Sequence, residues 1–220
     1  GEIIATAATR ELARLVLLDS ARLAEEDAEI EARRSRRRGA RPAAPLYTLV
    51  DAMAALDGFG RTAVYGVPLP LGPGLRVSFH DAGHILGSAS VLFEIAEAER
   101  TRRVLYSGDL GNAGRPILRD PAPPAADIVV MESTYGDRRH RSVRDSVAEL
   151  CQAINATLAR GGNVVIPTFA LERTQEILFH LRAATGDGRL PAQLPVFLDS
   201  PMAISAGYSM PARVGFDSVR

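Results

Sequence analysis

The chain has 220 residues, 46% of them hydrophobic, with 26 basic and 26 acidic residues and a formal net charge of zero. That is enough apolar material for a core, and no apolar run approaches the roughly 20 residues that span a bilayer, so a membrane role is excluded at this level. Zero net charge neither favours nor excludes a polyanionic partner, and the single cysteine, Cys151, excludes an internal disulfide and a Cys-based zinc ribbon.

Gly1 to Ala5 reads as a strand, and Thr6 or Thr9 is placed to cap the helix that follows. From Glu11 to about Ala32, Leu12, Leu15, Val16, Leu23 and Ile30 fall mostly on one helical face. The far end of that helix is acidic, and Arg33 to Arg41 then holds six arginines before Pro42. This run is either a solvated helix end and loop or a phosphate-contacting patch, and the acidic run beside it offsets its field. Every basic residue of the chain is Arg, a bias that a GC-rich genome explains. Thr48 is expected to cap a short helix through Leu56. Thr62 to Gly66, Leu75 to Phe79, Ser90 to Ile95 and Val104 to Tyr106 read as strands bounded by Gly or Pro. The last two should pair across the charged turn Glu97 to Arg103.

Pro116 to Pro124 reads as a surface loop or linker. After it the pattern changes. Asp127 to Met131, Asn163 to Pro167 and Val196 to Leu198 read as buried strands, and Ser142 to Ala159 and Leu171 to Leu181 as helices. Strands alternating with helices predict a parallel sheet with covered faces. The fold class is therefore α/β.

Four histidines are present, His80, His84, His140 and His180. His84 follows a strand and sits between Gly83 and Gly87, where the backbone can approach a ligand closely. It is either a metal ligand through one ring nitrogen or a hydrogen-bonded loop residue. Asp109 ends a second apolar strand, where a buried carboxylate is costly unless it is paired or coordinates a cation. Glu132 ends a third. Three strands ending in His84, Asp109 and Glu132 suggest one shared sheet edge, where sites collect in layered α/β folds. His80 suits a structural role, and His180 one near a helix end where its charge complements the dipole. His140 is either a phosphate contact or a solvated loop residue. Arg173 near a helix start can reach a phosphate, with Glu172 beside it as a competing partner. Ser200 followed by Pro201 has the form of an N-cap with Pro at the first helical position, which also favours an anion.

The segments AGHILGSAS, VLYSGDLG, VMESTYGDRRH, PTFALERTQEIL and FLDSPMA, in that order, closely resemble the beta-CASP branch of the metallo-β-lactamase superfamily. That branch includes RNA exo- and endonucleases and the pre-mRNA 3′-end cleavage factor. The resemblance runs from Gly1 to about Ser205. It implies an αββα metallo-β-lactamase sandwich, here the C-terminal portion of its core over residues 1–140, followed by the start of an inserted α/β beta-CASP domain over 141–220. By the same resemblance His84 matches the third metal-binding motif. Asp109 matches the fourth, the carboxylate that bridges two Zn²⁺ ions, and Glu132 matches the acidic motif opening the beta-CASP part. Arg173, His140 and Ser200 are the implied substrate-binding residues. The implied reaction is hydrolysis of an RNA phosphodiester by zinc-activated water, on single-stranded RNA, in the cytoplasm, with a homodimer as the implied assembly of the complete protein.

The family's His-x-His-x-Asp-His signature and its two late histidines do not occur in these residues. Together with an opening at Gly1 on an apolar strand, this leads us to expect a partial chain, inactive in isolation. The family usually has Gly-Arg where Glu172-Arg173 stand, and Gly207, Pro211 and Gly215 are expected to interrupt the helix after Pro201. Two other readings remain open: a DNA-acting or small-ester hydrolase of the same fold, and a non-catalytic binding subunit.

Overall fold

A computed structural model describes residues 1–38 and 44–209. The chain divides into two compact units, one of Gly1–Gly111 with Pro121–Val130, the other of Asn112–Asp120 with Met131–Arg220. Arg41, Pro42, Pro211 and Gly215 lie outside the described residues. Among those described, no helix is long and apolar enough to cross a membrane.

In the first unit, β1 (Ile3–Thr6) pairs in parallel with β2 (Phe59–Ala63). Between them run α1 (Ala7–Arg37) and α2 (Leu49–Leu56). Thr6 caps α1 by accepting from the Thr9 N–H. Thr48 and Asp51 form a reciprocal capping box on α2. Helix α1 is longer than its periodicity predicts. Leu12 and Ala21 are buried, but Leu23 and Ile30 are half-exposed.

The second sheet has five strands in the order β3-β4-β5-β6-β7. These are β3 (Leu69–Gly72), β4 (Leu75–Asp81), β5 (Ala89–Ala96), β6 (Thr101–Tyr106) and β7 (Ile128–Val130). β3 to β6 are antiparallel neighbours, and β7 joins β6 in parallel. The expected β5–β6 hairpin forms, with Val91 opposite Tyr106. Ser78, Leu92 and Leu105, which pair across the sheet, are buried on one face with Ser90, and Val77 is buried on the other. The short strand β3 has no counterpart in the sequence reading. Pro is tolerated there because β3 is an edge strand. β7 is not the buried strand expected. Ile128, Val129 and Val130 are 43–53% exposed, and among the described residues β7 pairs with β6 alone.

The second unit holds α3 (Val143–Leu158), α4 (Arg173–Gly186) and α5 (Pro201–Ser209). Cys151 and Ile154 of α3 pack with Leu181 and Ala184 of α4 and with Leu190. Cys151 is thus a buried, structural thiol. The segments 163–167 and 196–198 do not form the buried strands expected. They have no strand partner among the described residues, and Val165 and Phe197 are 87% and 75% exposed. A strand buries its backbone polar groups only when a neighbour pairs with them, so the expected parallel sheet is not formed by the described residues. Helix α5 runs through Gly207 rather than stopping there. His180 lies in the middle of α4, not at its end. Burial pushes its pKa down, so it is held neutral rather than charged against the dipole.

Candidate metal centre

The loop between β4 and β5 carries His84, and its shape follows from its own side chains. Gly83 and Gly87 adopt positive φ of 63° and 86°. The Asp81 carboxylate accepts from the Gly83 N–H at 3.0 Å. The Ser88 hydroxyl accepts from the N–H groups of both His84 and Ile85, at 3.1 and 3.2 Å. The turn is thus capped by a side chain of its own. From outside the loop, the hydroxyls of Thr6 and Thr9 reach the Gly87 carbonyl at 2.9 and 2.8 Å. The Tyr65 hydroxyl donates to the Ser88 carbonyl at 2.8 Å. A Cβ at residue 87 would meet the Thr9 nitrogen at 2.6 Å, so only glycine permits this clamp.

The neighbouring loop carries Asp109. It leaves β6 with the Ser107 N–H donating to the Val130 carbonyl at 2.9 Å, and the buried Ser90 hydroxyl donating to the Ser107 carbonyl at 2.8 Å. Gly108 turns at a φ of 59°. The Gly111 N–H then donates to the Ala82 carbonyl at 2.8 Å. The two loops touch here, backbone on backbone. A Cβ at Gly111 would overlap the Gly83 carbonyl.

That contact sets His84 beside Asp109, with Nε2 3.8 Å from Oδ2. The gap exceeds a direct hydrogen bond. It is close to the roughly 3.3 Å that separates two ligand atoms on one tetrahedral ion with bonds of about 2.0–2.1 Å. An imidazole nitrogen and a carboxylate oxygen are both zinc donors, so the pair fits as part of a zinc shell. Among the described residues no group of three or more His, Cys, Asp or Glu side chains is assembled to hold a metal. The Asp109 side chain is 78% exposed, so the cost of burying a carboxylate, invoked from the sequence, is not what constrains it.

Glu132, Arg173, His140 and Ser200 lie in the second unit. Glu132 follows β7 and accepts from the Thr134 N–H at 3.1 Å, which closes a turn. His140 is exposed, and its ring stands edge-on to Tyr135 at 4.7 Å. Ser200 caps α5 by accepting from the Ala203 N–H at 3.2 Å. The partner of Arg173 is Glu176, at 2.6 Å, rather than the adjacent Glu172. His80 is held within β4 by the Ser78 hydroxyl at 3.0 Å. The structure brings His84 and Asp109 together, and it keeps Glu132, His140, Arg173 and Ser200 in separate local settings within their own unit. Sequence reasoning missed Thr6, Thr9, Ser88 and Gly111, which hold the loops. A Ser closing a glycine-bracketed turn was the one signal that pointed to Ser88.

For Glu172, named from the sequence only as a partner for Arg173, the backbone conformation and burial were missed. Its φ of 64° and ψ of −62°, with the Arg173 N–H donating to the Leu171 carbonyl at 2.8 Å, make it the centre of a γ-turn of the rare positive-φ form. Glu172 is buried. One carboxylate oxygen sits 4.0 Å from Arg115, and the other has no hydrogen-bond partner among the described residues. Burial pushes its pKa up to about 7. Arg115 opposes that rise, and Glu176 adds to it. The conformation explains why glycine is the family's usual choice here.

The chain is mixed α/β and sets an imidazole and a carboxylate side by side at one end of a sheet. No family model matches the chain. It is similar over 204 residues, at 43% identity, to "Ribonuclease TTHA0252" of Thermus thermophilus, an alignment that takes in 92% of this chain and 41% of that protein. It is 32% identical over 205 residues to "Transcription termination factor FttA" of Methanothermobacter thermautotrophicus, covering 90% of this chain and 29% of the relative. It is also 34% identical over 132 residues to "Cleavage and polyadenylation specificity factor subunit 3-I" of Arabidopsis thaliana, covering 59% and 18%. The chain belongs to the beta-CASP branch of the metallo-β-lactamase superfamily. It spans less than half of the length of each of these relatives.

Two substitutions test this geometry. Gly111→Ala should destabilise the first unit by about 3 kcal/mol, the upper end of the cost of overpacking. Gly72→Ala, where an added Cβ meets nothing within 4 Å, should cost far less. Urea denaturation of both variants decides it, and equal midpoints would mean that the two loops do not touch. For Glu172, the folded pKa lies above the unfolded one, so the native state holds the proton more tightly. This group then subtracts stability as pH rises from about 4.5 to about 7 and leaves the deficit constant above that. Glu172→Gly should therefore be more stable than the parent chain at pH 8, with a smaller advantage at pH 4.5. Denaturant midpoints across that range measure it.

Proposed function

We propose that the chain supplies two donors, the His84 imidazole and the Asp109 carboxylate, to a zinc site that hydrolyses RNA phosphodiester bonds. The remaining donors belong to the part of its relatives that these residues do not span. The observation that carries the reading is the 3.8 Å approach of His84 Nε2 to Asp109 Oδ2, on two loops joined by the hydrogen bond from the Gly111 N–H to the Ala82 carbonyl. The relatives' names, ribonuclease and cleavage factor subunit, favour RNA over DNA or a small ester. In this reading residues 1–140 belong to an αββα metallo-β-lactamase core, and 141–220 begin the inserted beta-CASP domain.

Each residue has a defined task. His84 offers a ring nitrogen in its neutral form, the form that binds metal. Asp109 is exposed enough to present both carboxylate oxygens and so to bridge two ions. Ser88, Thr6, Thr9 and Gly111 fix the donors before any ion arrives, which limits the entropy lost on binding. Zinc bound there would lower the pKa of a coordinated water and neutralise charge on the phosphate oxygens. Glu132 orients a histidine from outside these residues. Arg173, His140 and Ser200 contact the substrate phosphates.

A chimaera tests the reading. This chain replaces the matching stretch of the Thermus ribonuclease, and zinc content and RNA hydrolysis are measured. The chimaera should bind zinc and cleave RNA. His84→Ala or Asp109→Ala should lower zinc affinity by more than the roughly 10–100-fold that loss of an outer-shell partner costs. The 220-residue chain alone should bind zinc weakly and cleave nothing. Full zinc binding by the double variant, or zinc-dependent cleavage by the isolated chain, would overturn the proposal.

A further inference from the structure

Helix α1 ends in a cluster of unneutralised positive charge. Arg33, Arg34, Arg36 and Arg37 fall in its last turns, and Arg38 is its C-cap. At about 100° per residue, Ser35 points away from Arg37. Ser35 is buried, while Arg33, Arg34, Arg36, Arg37 and Arg38 are all exposed. The arginines at the end of the helix are thus open to solvent, while Ser35 between them is covered.

The acidic run along the same helix neutralises only part of this charge. Arg33 lies 3.7 Å from Glu29, and Arg34 lies 3.9 Å from Glu31. Among the described residues, Arg36, Arg37 and Arg38 have no acidic partner. At ~1.5 Å of rise per residue, Glu31 lies roughly 8–10 Å back along the axis from them. That distance is about one Debye length at physiological salt, so its field is largely screened there. The helix dipole presents only about half an elementary negative charge at this end, too little to balance three guanidinium groups. Arg22 is the contrast on the same helix, held by Asp19 at 3.1 Å and Glu26 at 2.6 Å.

We infer that Arg36, Arg37 and Arg38 form a phosphate-contacting surface for single-stranded RNA at the C-terminal end of α1. Guanidinium groups are always charged and match phosphate oxygens in pairs, and three within one turn give a multivalent, sequence-independent grip on a polyanion. This rests on the RNA part of the proposed function and is independent of His84 and Asp109.

The test is the salt dependence of binding. The chain and its triple variant Arg36→Gln, Arg37→Gln, Arg38→Gln are titrated against a fluorescein-labelled single-stranded RNA from 50 to 200 mM KCl. Each phosphate neutralised contributes about 0.7 to the slope of log K against log salt on a single strand. The triple variant should therefore lose about 2 from that slope, while Arg22→Gln keeps it. Circular dichroism confirms that α1 is intact in every variant. An unchanged slope, or no salt-dependent RNA binding by the parent chain, would overturn the inference. So would equal affinity for polyglutamate or for phosphatidylserine vesicles, which would assign the surface to an acidic protein or to a membrane. A His84→Ala, Asp109→Ala double variant separates the two readings. If zinc binding proves independent of that pair while the RNA slope still depends on the arginines, the metal reading alone fails. If the slope is indifferent to the arginines while zinc binding follows His84 and Asp109, this inference alone fails.

Discussion

The structure around the donor pair depends on one backbone contact, the hydrogen bond from Gly111 to the Ala82 carbonyl. It joins two loops that β4 and β6 send out from the same end of the sheet. The strands between them set the spacing. Asp81 pairs with Ala89, and Val91 with Tyr106, so β5 holds the two loop-bearing strands in fixed register. A loop on a strand end usually owes its shape to its own sequence. Here each loop is also shaped by the other, because Gly111 occupies space that only a residue without a Cβ can enter beside Gly83. This packing of backbone on backbone sets the two loops, and with them His84 and Asp109, side by side.

Much of this was legible in the sequence, and the reasons differ by element. β4, β5 and β6 announce themselves through β-branched and aromatic residues between Gly and Pro boundaries. The caps at Thr6, Thr48 and Ser200 follow from residue type and place. The adjacency of His84 and Asp109 was suggested by two strands that end in polar residues. What holds them was not legible. Thr6 and Thr9 bond to Gly87 from 81 and 78 residues away, and no local pattern encodes such a distance. The missed strand β3 carries Pro70, and the tolerance of proline there depends on an edge position known only once the sheet is built.

The second unit shows the opposite failure. Its apolar runs at 163–167 and 196–198 have strand composition, yet composition does not supply a hydrogen-bonding neighbour. Val165 and Phe197 are left largely exposed. The helices do not share this dependence. α3 and α4 satisfy their backbones internally and bury Ile154, Leu181 and Ala184 against each other, so they form where the expected strands do not. The hydrophobic pattern therefore identifies what a segment would bury, and for a strand it says nothing about whether a partner is present to complete it.

Glu172 and the arginines of α1 make the complementary point about charge. The chain is neutral in total, but neutrality is an average, and the two sites depart from it in opposite ways. At Glu172 an acid occupies a buried γ-turn suited to glycine, with one oxygen near Arg115 and the other without a hydrogen-bond partner among the described residues. Burial raises the pKa of this acid to about 7, so it keeps its proton to a higher pH than a solvated carboxylate does. At the end of α1 the arginines cannot shed their charge in this way, because guanidinium stays protonated at any physiological pH. A carboxylate without a full set of partners can be neutralised where it sits. An excess of guanidinium has to be balanced by anions from outside the helix, and a phosphate backbone supplies them in series.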